Sequence, residues 1–201
     1  MVGTMEAPLT PKDWIVAGLR LLATDGPGAL KVGAMAERLG VSRGSFYWHF
    51  RDFSDFRSQL LDNWRDRTVD QIIREFESDP EAPDRLQQLV KKAFFGRRGL
   101  DRAIRTWAAT EPDVRAMVAA VDARRVGYMA ELLISAGVDA HHAQSRAAFL
   151  YWAYLGQAIV MDPGTAAIDE AALNAIAGLL ESRTAVGAGL IDSIGGPIAQ
   201  R

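Results

Sequence analysis

The chain has 201 residues, of which 49% are hydrophobic, so it can bury the core of one large or two small domains and is not expected to be disordered as a whole. It contains no cysteine, which excludes disulfide bonds, thiolate metal sites and a cysteine nucleophile. The net charge of −2 gives no general attraction to nucleic acid, but residues 31–57 hold five basic and three acidic residues. We therefore expect a mildly basic N-terminal part on a more acidic body.

No targeting or membrane segment is recognisable. No apolar run approaches the roughly 20 residues that span a membrane. The opening MVGTMEAPLTPKD has neither the basic start nor the apolar stretch of a secretion signal. We expect a soluble, cytoplasmic protein without a membrane partner.

The hydrophobic pattern predicts helices throughout and no strand of useful length. In the first helix, Thr10 is the expected N-cap, Pro11 and Asp13 lie in the first turn, and Gly26 and Pro27 end it. Further helices are expected at about 32–38, 42–49, 52–77, 84–95, 101–109, 113–136, 140–161 and 168–186. The sequence therefore predicts an all-α fold.

Residues 32–50 combine two short helices with a tight connection. Ala36 is small enough for the two helices to cross closely, and Gly40 suits a turn with positive φ. Ser42 is the predicted N-cap of the second helix, whose N-terminus would face outward and could enter a DNA major groove. An ordinary hairpin of two helices shows the same spacing, so the turn alone leaves both interpretations open.

The segment RGSFYWHFRDFSDF, which follows the turn, makes the pattern specific. Together with DGPGAL and KVGAMAERLGVS, it makes residues from about 10 to 60 resemble the DNA-binding domain of the TetR family of transcriptional regulators. The resemblance implies a helix-turn-helix domain over 8–56 and, beyond a long connecting helix, a helical bundle for effector binding and dimerisation over 57–187. Residues 188–201, rich in glycine, are expected to form a flexible tail.

The resemblance also implies roles for single residues in the second short helix. Phe46 and Phe50, four residues apart, should face the core. The residues expected to contact DNA are Lys31, Ser42, Arg43, Gly44, Ser45, Tyr47, Trp48, His49 and Arg51.

Within that set, Tyr47 and His49 match positions that bind phosphates, and Trp48 matches a position that packs on a sugar or a thymine methyl group. Arg43 could bind either a guanine or a phosphate, and Gly44 allows a close approach of the backbone.

Phe53 departs from the family pattern. It stands where the family usually has a lysine that binds phosphate at the start of the fourth helix. Either one phosphate contact is missing, or Arg51 or Arg57 replaces it.

The body is rich in aromatic residues and methionine, which suit either an ordinary core or an apolar pocket with a few polar groups. The candidate pocket residues are Trp107, Met117, Tyr128 and Tyr151. No basic residue stands alone in an apolar run of the body, so the expected effector is small, neutral and mostly apolar. No cofactor or metal is expected.

Two stripes of the predicted helix 140–161 are candidates for contact with a partner subunit. One stripe contains Ala148, Trp152, Gly156 and Ile159, and the other contains Ala147, Tyr151, Tyr154 and Ala158. In the resembling family the last two long helices of each subunit form a four-helix dimer interface. The candidate interface residues are Ala148, Trp152, Gly156, Ile176, Leu179 and Leu180. Such a homodimer would present its recognition helices about 34–36 Å apart to a palindromic operator.

Two other functions remain as alternatives. An all-helical enzyme is the first, but no Ser-His-Asp order, HExxH or phosphate-binding glycine loop is present, and the adjacent His141 and His142 would point about 100° apart. The second is a DNA-binding protein without an effector, which the sequence leaves open. We favour a non-enzymatic, ligand-responsive transcriptional regulator, with repression as its expected mode.

Overall fold

The computed structural model describes residues 9–96, 99–160 and 168–182. Its helices are α1 (Pro11–Asp25), α2 (Val32–Arg38), α3 (Gly44–Tyr47), α4 (Phe53–Arg65), α5 (Gln71–Glu77), α6 (Arg85–Phe95), α7 (Gly99–Ala108), α8 (Pro112–Ser135), α9 (Ala140–Leu155) and α10 (Glu170–Glu181). Over these described residues there is no strand, and the predicted all-α fold is confirmed. The expectations for residue 161, for 183–186 and for the tail 188–201 lie outside the described residues.

Local signals set the ends of α1. The backbone N–H and the hydroxyl of Thr10 both donate to the carboxylate of Asp13, at 2.8 and 2.6 Å. At the other end Gly26 has a φ of 78°, and its N–H donates to the carbonyl of Leu22 at 3.1 Å. Because capping groups occupy both ends, α1 begins and ends where the sequence predicts.

The turn between α2 and α3 depends on Gly40, whose φ is 68°. The N–H of Val41 donates to the carbonyl of Ala36 at 3.0 Å, which closes the turn over a small side chain. Both features agree with the sequence prediction.

The prediction that Ser42 caps the following helix is wrong. Helix α3 spans only Gly44–Tyr47, and no side chain caps it. Only the carbonyl of Ser42 takes part, accepting the N–H of Ser45 at 3.1 Å. The helix begins one residue too late for the Ser42 hydroxyl to reach its first free N–H groups, so that hydroxyl stays available for other contacts.

Phe46 holds α3 against the rest of the N-terminal domain. Its ring lies 5.3 Å from Trp14, 5.4 Å from Phe56 and 5.0 Å from Phe50, measured between ring centroids. All four rings are buried. The inward orientation predicted for Phe46 and Phe50 is confirmed, and this aromatic cluster gives a short helix a fixed position that it could not keep alone.

A continuous helix runs from α4 to α5, with a π-helical turn at Asp66–Asp70 between them. The sequence predicts one uninterrupted α-helix. Phe56, Leu60 and Trp64 are buried at four-residue spacing, with Leu61 beside them, and the next buried residues are Val69 and then Ile73. The step of five from Trp64 to Val69 needs the wider π turn to keep both side chains on the core face.

In the body, α8 packs against α7 and α9, and α6 packs against α10. Ala147, Tyr151 and Ala158 are buried, whereas Trp152 is 68% exposed. This settles which stripe of α9 meets the core: the stripe with Tyr151 does, and the stripe with Trp152 faces outward. Among the helices described, none is long and apolar enough to cross a membrane.

The two halves of the chain contact each other through α1, which packs against α7, and through α4. Arg57 of α4 donates to Glu111 and Asp113, both at 2.9 Å, at the start of α8. We call these two ion pairs the Arg57 clasp.

Candidate DNA-binding surface and effector cavity

The outward half of the aromatic run forms an exposed surface on and just after α3. Tyr47 is 62% exposed and Trp48 is 89% exposed, although Phe46 and Phe50 beside them are buried. His49 is half-buried. Exposed rings of this size are uncommon on a protein surface unless they contact a partner. Their aromatic faces and polar edges suit a sugar–phosphate backbone.

The remaining predicted DNA contacts surround these rings. Lys31, Ser42, Arg43, Gly44 and Arg51 are exposed and Ser45 is half-buried. Within the described part of the chain, Lys31 and Arg43 make no ion pair, so both charges are available. The guanidinium of Arg43 lies against Gly33, in the first turn of α2. A Cβ added at Gly33 would be only 3.0 Å from it.

The structure separates the two arginines that could replace the missing lysine at Phe53. Phe53 is half-buried and its ring lies 5.8 Å from that of Phe56. Arg57 is engaged in the Arg57 clasp, with only 20% of its side chain exposed. The side chain of Arg51 is 86% exposed and has only a 3.7 Å contact with Asp55. Arg51 is therefore the better candidate for the additional phosphate contact.

A cavity of about 250 Å³ lies in the body, between the α4–α5 helix, α6, α7, α8 and α9. Its wall is mostly apolar and aromatic. The lining residues are Trp64, Arg67, Thr68, Val69, Ile72, Ile73, Leu89, Val90, Lys92, Ala93, Phe94, Gly96, Leu100, Asp101, Arg125, Tyr128, Met129, Leu150, Tyr151 and Tyr154. This combination of an apolar wall and a few polar groups is typical of a site for a small organic ligand.

Two of the four predicted pocket residues, Tyr128 and Tyr151, line the cavity. Trp107 and Met117 do not, so the prediction for these two does not hold for this cavity. Trp107 is buried on α7, which packs between α1 and α8, and Met117 is half-buried against the core in the first half of α8. Both contribute to packing away from the cavity.

Sequence reasoning missed a buried ion pair on the cavity wall. The guanidinium of Arg125 donates to both carboxylate oxygens of Asp101, at 2.9 and 3.3 Å. The indole N–H of Trp64 and the hydroxyl of Tyr154 also donate to Asp101, each at 3.1 Å. Every oxygen of this buried carboxylate thus has a partner, as a buried charge requires.

A signal for this pair was present in the sequence. Arg125 lies at helical spacing from Val121 and Tyr128, both buried, so it occupies the apolar face of α8. Asp101 likewise shares a face of α7 with Ile104 and Ala108. No basic residue stands alone in an apolar run along the chain, but Arg125 lies on the apolar face of a helix, which is recognised by helical spacing and not by adjacency.

A second pair lies next to the first. Arg105 donates to the two carboxylate oxygens of Asp122 at 3.0 and 2.5 Å, and the hydroxyl of Tyr151 donates to Asp122 at 2.6 Å. Arg125 reaches the same hydroxyl at 3.4 Å. The hydroxyl of Tyr151 therefore joins the two pairs, and only its ring is free to contact a ligand.

Burial and charge act in opposite directions on the pKa values here. Burial alone would raise the pKa of Asp101, but the neighbouring Arg125 outweighs it and the pKa is lowered. Burial raises the pKa of Tyr154 to about 12, with the charge of Asp101 adding to the effect. At neutral pH the site therefore holds an ionised carboxylate, a charged guanidinium and neutral tyrosines.

The outward stripe of α9 and the neighbouring α10 expose large apolar side chains. Trp152, Phe149 and Leu179 are each more than half exposed, and Ile176 is partly exposed. The other predicted interface residues, Ala148, Gly156 and Leu180, are half-buried. Hydrogen bonds from Arg146 of α9 to the carbonyls of Leu180 and Ser182 connect the two helices, and we call their exposed apolar side chains the α9–α10 face.

These features define a class of protein: an all-α chain with a helix-turn-helix domain on a helical body that contains a mostly apolar cavity. Residues 15–52 match the family of bacterial regulatory proteins of the tetR type. The transcriptional regulator AcrR of Shigella flexneri is 38% identical over 55 residues, which is 27% of this chain and 26% of AcrR. The match to AcrR thus spans about a quarter of each protein.

Solved structures extend the likeness to the fold of the body. A transcriptional regulator from Rhodococcus sp. Rha1 is 19% identical, with a TM-score of 0.65 over 86% of this chain and 96% of that protein. The multidrug binding protein EbrR, solved with imidazole, is 21% identical, with a TM-score of 0.59 over 87% of this chain and 96% of that protein. The chain thus matches the tetR family of bacterial regulatory proteins in sequence over residues 15–52, and it resembles solved regulators in fold over most of its length.

Proposed function

We propose that the protein is a repressor that binds a palindromic operator as a homodimer and releases it when a small, mostly apolar effector fills the cavity. The observation that carries this proposal is the exposure of Tyr47 and Trp48 above a buried aromatic cluster. The packing of Phe46 and Phe50 fixes the backbone that carries the two rings, yet nothing in the described part of the chain covers the rings themselves.

DNA binding requires positive charge beside these rings. Lys31, Arg43 and Arg51 supply it, while Arg38 is bound to Asp25 at 2.6 Å and Arg57 is engaged in the Arg57 clasp. Three available charges per subunit give six per dimer, within the range of phosphate contacts that confers strong salt dependence. The overall net charge of −2 is no obstacle, because DNA would meet only this surface.

Homodimerisation is supported by the α9–α10 face. An exposed tryptophan, phenylalanine and leucine on neighbouring helices are costly in water and favour contact with a second apolar surface. A two-fold axis through this face would pair identical patches and place two recognition helices on one side of the dimer.

Effector control is supported by the position of the π turn. Arg67, Thr68 and Val69, all within this turn, line the cavity. The same continuous helix contacts the N-terminal domain through α4. A ligand that presses on the turn would displace α4, and with it the recognition helix, because packed helices shift rather than compress.

The first test is of the DNA surface. A binding sequence is selected from random duplex oligonucleotides, and its affinity is measured by gel-shift titration for the wild type and for the double variant Tyr47→Ala, His49→Ala. Losing two phosphate contacts per subunit should weaken binding at least tenfold. The control Phe95→Ala removes an exposed ring from α6, outside the DNA-binding surface, the cavity wall and the α9–α10 face, and should leave DNA affinity unchanged. Equal affinity of a folded double variant and the wild type would show that the surface is assigned wrongly.

A second test uses two matched variants, Trp48→Glu and Trp152→Glu. Both change a highly exposed tryptophan to a charge, one on the DNA-binding surface and one on the α9–α10 face. Sedimentation analysis should show that Trp152→Glu dissociates the dimer and that Trp48→Glu does not. A dimer that survives in both variants would place the interface elsewhere.

A further inference from the structure

Among the residues that the structure describes, four charged side chains line the cavity, and they fall into an inner and an outer group. The inner group is the Asp101–Arg125 pair, buried and fully hydrogen-bonded. The outer group is Arg67 and Lys92, both exposed to solvent at the edge of the cavity.

The inner pair cannot bind a charged ligand group without losing its own partner. Arg125 and Asp101 neutralise each other, and the carboxylate also accepts hydrogen bonds from Trp64 and Tyr154. Separating a buried ion pair leaves an uncompensated charge, which is strongly unfavourable. The inner end of the cavity therefore suits an uncharged, apolar part of a ligand, beside Phe94, Met129 and the rings of the tyrosines.

The outer group leaves one positive charge without a partner. Lys92 forms an ion pair with Glu75, although both side chains are largely exposed. Within the described residues Arg67 makes neither an ion pair nor a hydrogen bond through its side chain. The edge of the cavity consequently has an excess of positive charge, in a position where a ligand's anionic group would keep part of its hydration.

The size of the cavity limits the apolar part. A dry apolar cavity of about 150 Å³ accepts a benzene molecule. A volume of about 250 Å³ therefore admits one substituted ring, or an aliphatic group of similar size.

We infer that the effector is a small organic monoanion, with its apolar part inside the cavity and its carboxylate, or a comparable anionic group, bound by Arg67. This inference rests on the proposed effector-controlled function and makes the ligand class more specific. It replaces the neutral effector that the sequence alone suggested, because Arg67 reaches the cavity only through the fold of the α4–α5 helix.

The test uses three probes of one shape: 4-propylbenzoate, 4-propylbenzamide and 4-propylbenzylamine. Isothermal titration of the full chain at pH 7.5 and low salt compares their dissociation constants, and the series is repeated with methyl and butyl substituents. The acid should bind about five- to tenfold more tightly than the amide. Its carboxylate would accept a hydrogen bond from the charged Arg67, which is stronger than a neutral one, but the solvent exposure of Arg67 limits the gain. The amine should bind most weakly.

Variants identify the residue that is responsible. Arg67→Gln should remove the preference for the acid and leave the amide affinity within about twofold, whereas Arg67→Lys should keep most of the preference. The control Arg124→Gln changes the net charge equally at an exposed α8 residue that does not line the cavity. It should behave as the wild type does.

The inference is overturned if no acid in the series binds more tightly than its amide, or if Arg67→Gln keeps the full preference. DNA binding of the ligand-free protein, measured by gel shift, shows whether such a failure concerns only the effector class or also the proposed function. If DNA binding is retained but no acid is preferred, the proposed regulator function stands and the anionic effector is rejected. Loss of DNA binding in the Tyr47 test has no bearing on the acid preference.

Discussion

The buried pair of Asp101 and Arg125 allows a quantitative test of how the body is held together. Asp101→Asn keeps the size and most of the hydrogen-bonding capacity of the side chain but removes its charge. Arg125 would then be a buried cation without a counter-charge, which costs about 3–5 kcal/mol in folding free energy. For a chain of this length that loss lowers the melting temperature by roughly 6–20 °C.

A double-mutant cycle distinguishes this cause from a general loss of packing. Arg125→Met alone leaves Asp101 as the uncompensated charge, so it should cost a comparable amount. In the double variant neither position carries a charge, so its destabilisation should be smaller than the sum of the two by at least about 2 kcal/mol. Urea unfolding followed by tryptophan fluorescence measures each value, and Trp64 beside Asp101 provides a local signal.

The control is Asp25→Asn, which breaks the Arg38–Asp25 pair. That pair is as close, at 2.6 Å, but both side chains are nearly half exposed. An exposed pair of this kind contributes about 0–1 kcal/mol. If Asp101→Asn costs no more than Asp25→Asn, the reasoning from burial is refuted.

The pH dependence of the same pair has a defined sign. The pKa of Asp101 is lower in the folded chain than its ordinary value, so the folded state binds fewer protons at this site than the unfolded chain does. The stabilisation from Asp101 is complete above its unfolded pKa of about 4 and is lost as the pH falls through the folded pKa. The stability difference between the wild type and Asp101→Asn should be constant from pH 8 to about pH 5 and shrink below about pH 4. A difference that already shrinks between pH 7 and 6 would mean that burial, not Arg125, controls this group.

Three further predictions concern the N-terminal domain. Gly18→Ala should destabilise the chain by about 1–3 kcal/mol in thermal unfolding, because a Cβ there would lie 2.7 Å from the Phe56 ring; a neutral effect would mean that α1 and α4 can move apart. Arg51→Gln should reduce the slope of the logarithm of DNA affinity against the logarithm of salt concentration by about 0.9 per subunit, while Arg57→Gln should leave that slope unchanged. The reverse result would assign the phosphate contact to Arg57. Phe53→Lys should make the slope steeper by a similar amount, and no change would show that this position does not reach DNA.

Local signals in the sequence predicted the helices well because helix ends depend on neighbouring residues. Thr10 with Asp13 starts α1, and Gly26 and Gly40 adopt the positive φ that their positions need. The aromatic run was equally informative: its four-residue spacing together with the family resemblance predicted that Phe46 and Phe50 face the core, and both are buried. The failure at Ser42 is a difference of one residue in the start of α3, which local chemistry does not fix.

The ligand-facing part of the body required the tertiary structure. A cavity is a gap between helices that are far apart along the chain, so residue types indicate a candidate such as Tyr151 but cannot separate it from Trp107. Arg125 meets Asp101 only because α7 and α8 pack side by side.

The sequence by itself thus determined the all-α fold, the turn at Gly40 and the orientation of the aromatic run, because each follows from helix periodicity or from the conformational preference of one residue. The tertiary structure decided which stripe of α9 is exposed, that Arg57 binds the body instead of being free for DNA, and that Arg67 brings a positive charge to the cavity. These three results depend on contacts between distant segments, and such contacts are set by the packing of the whole chain.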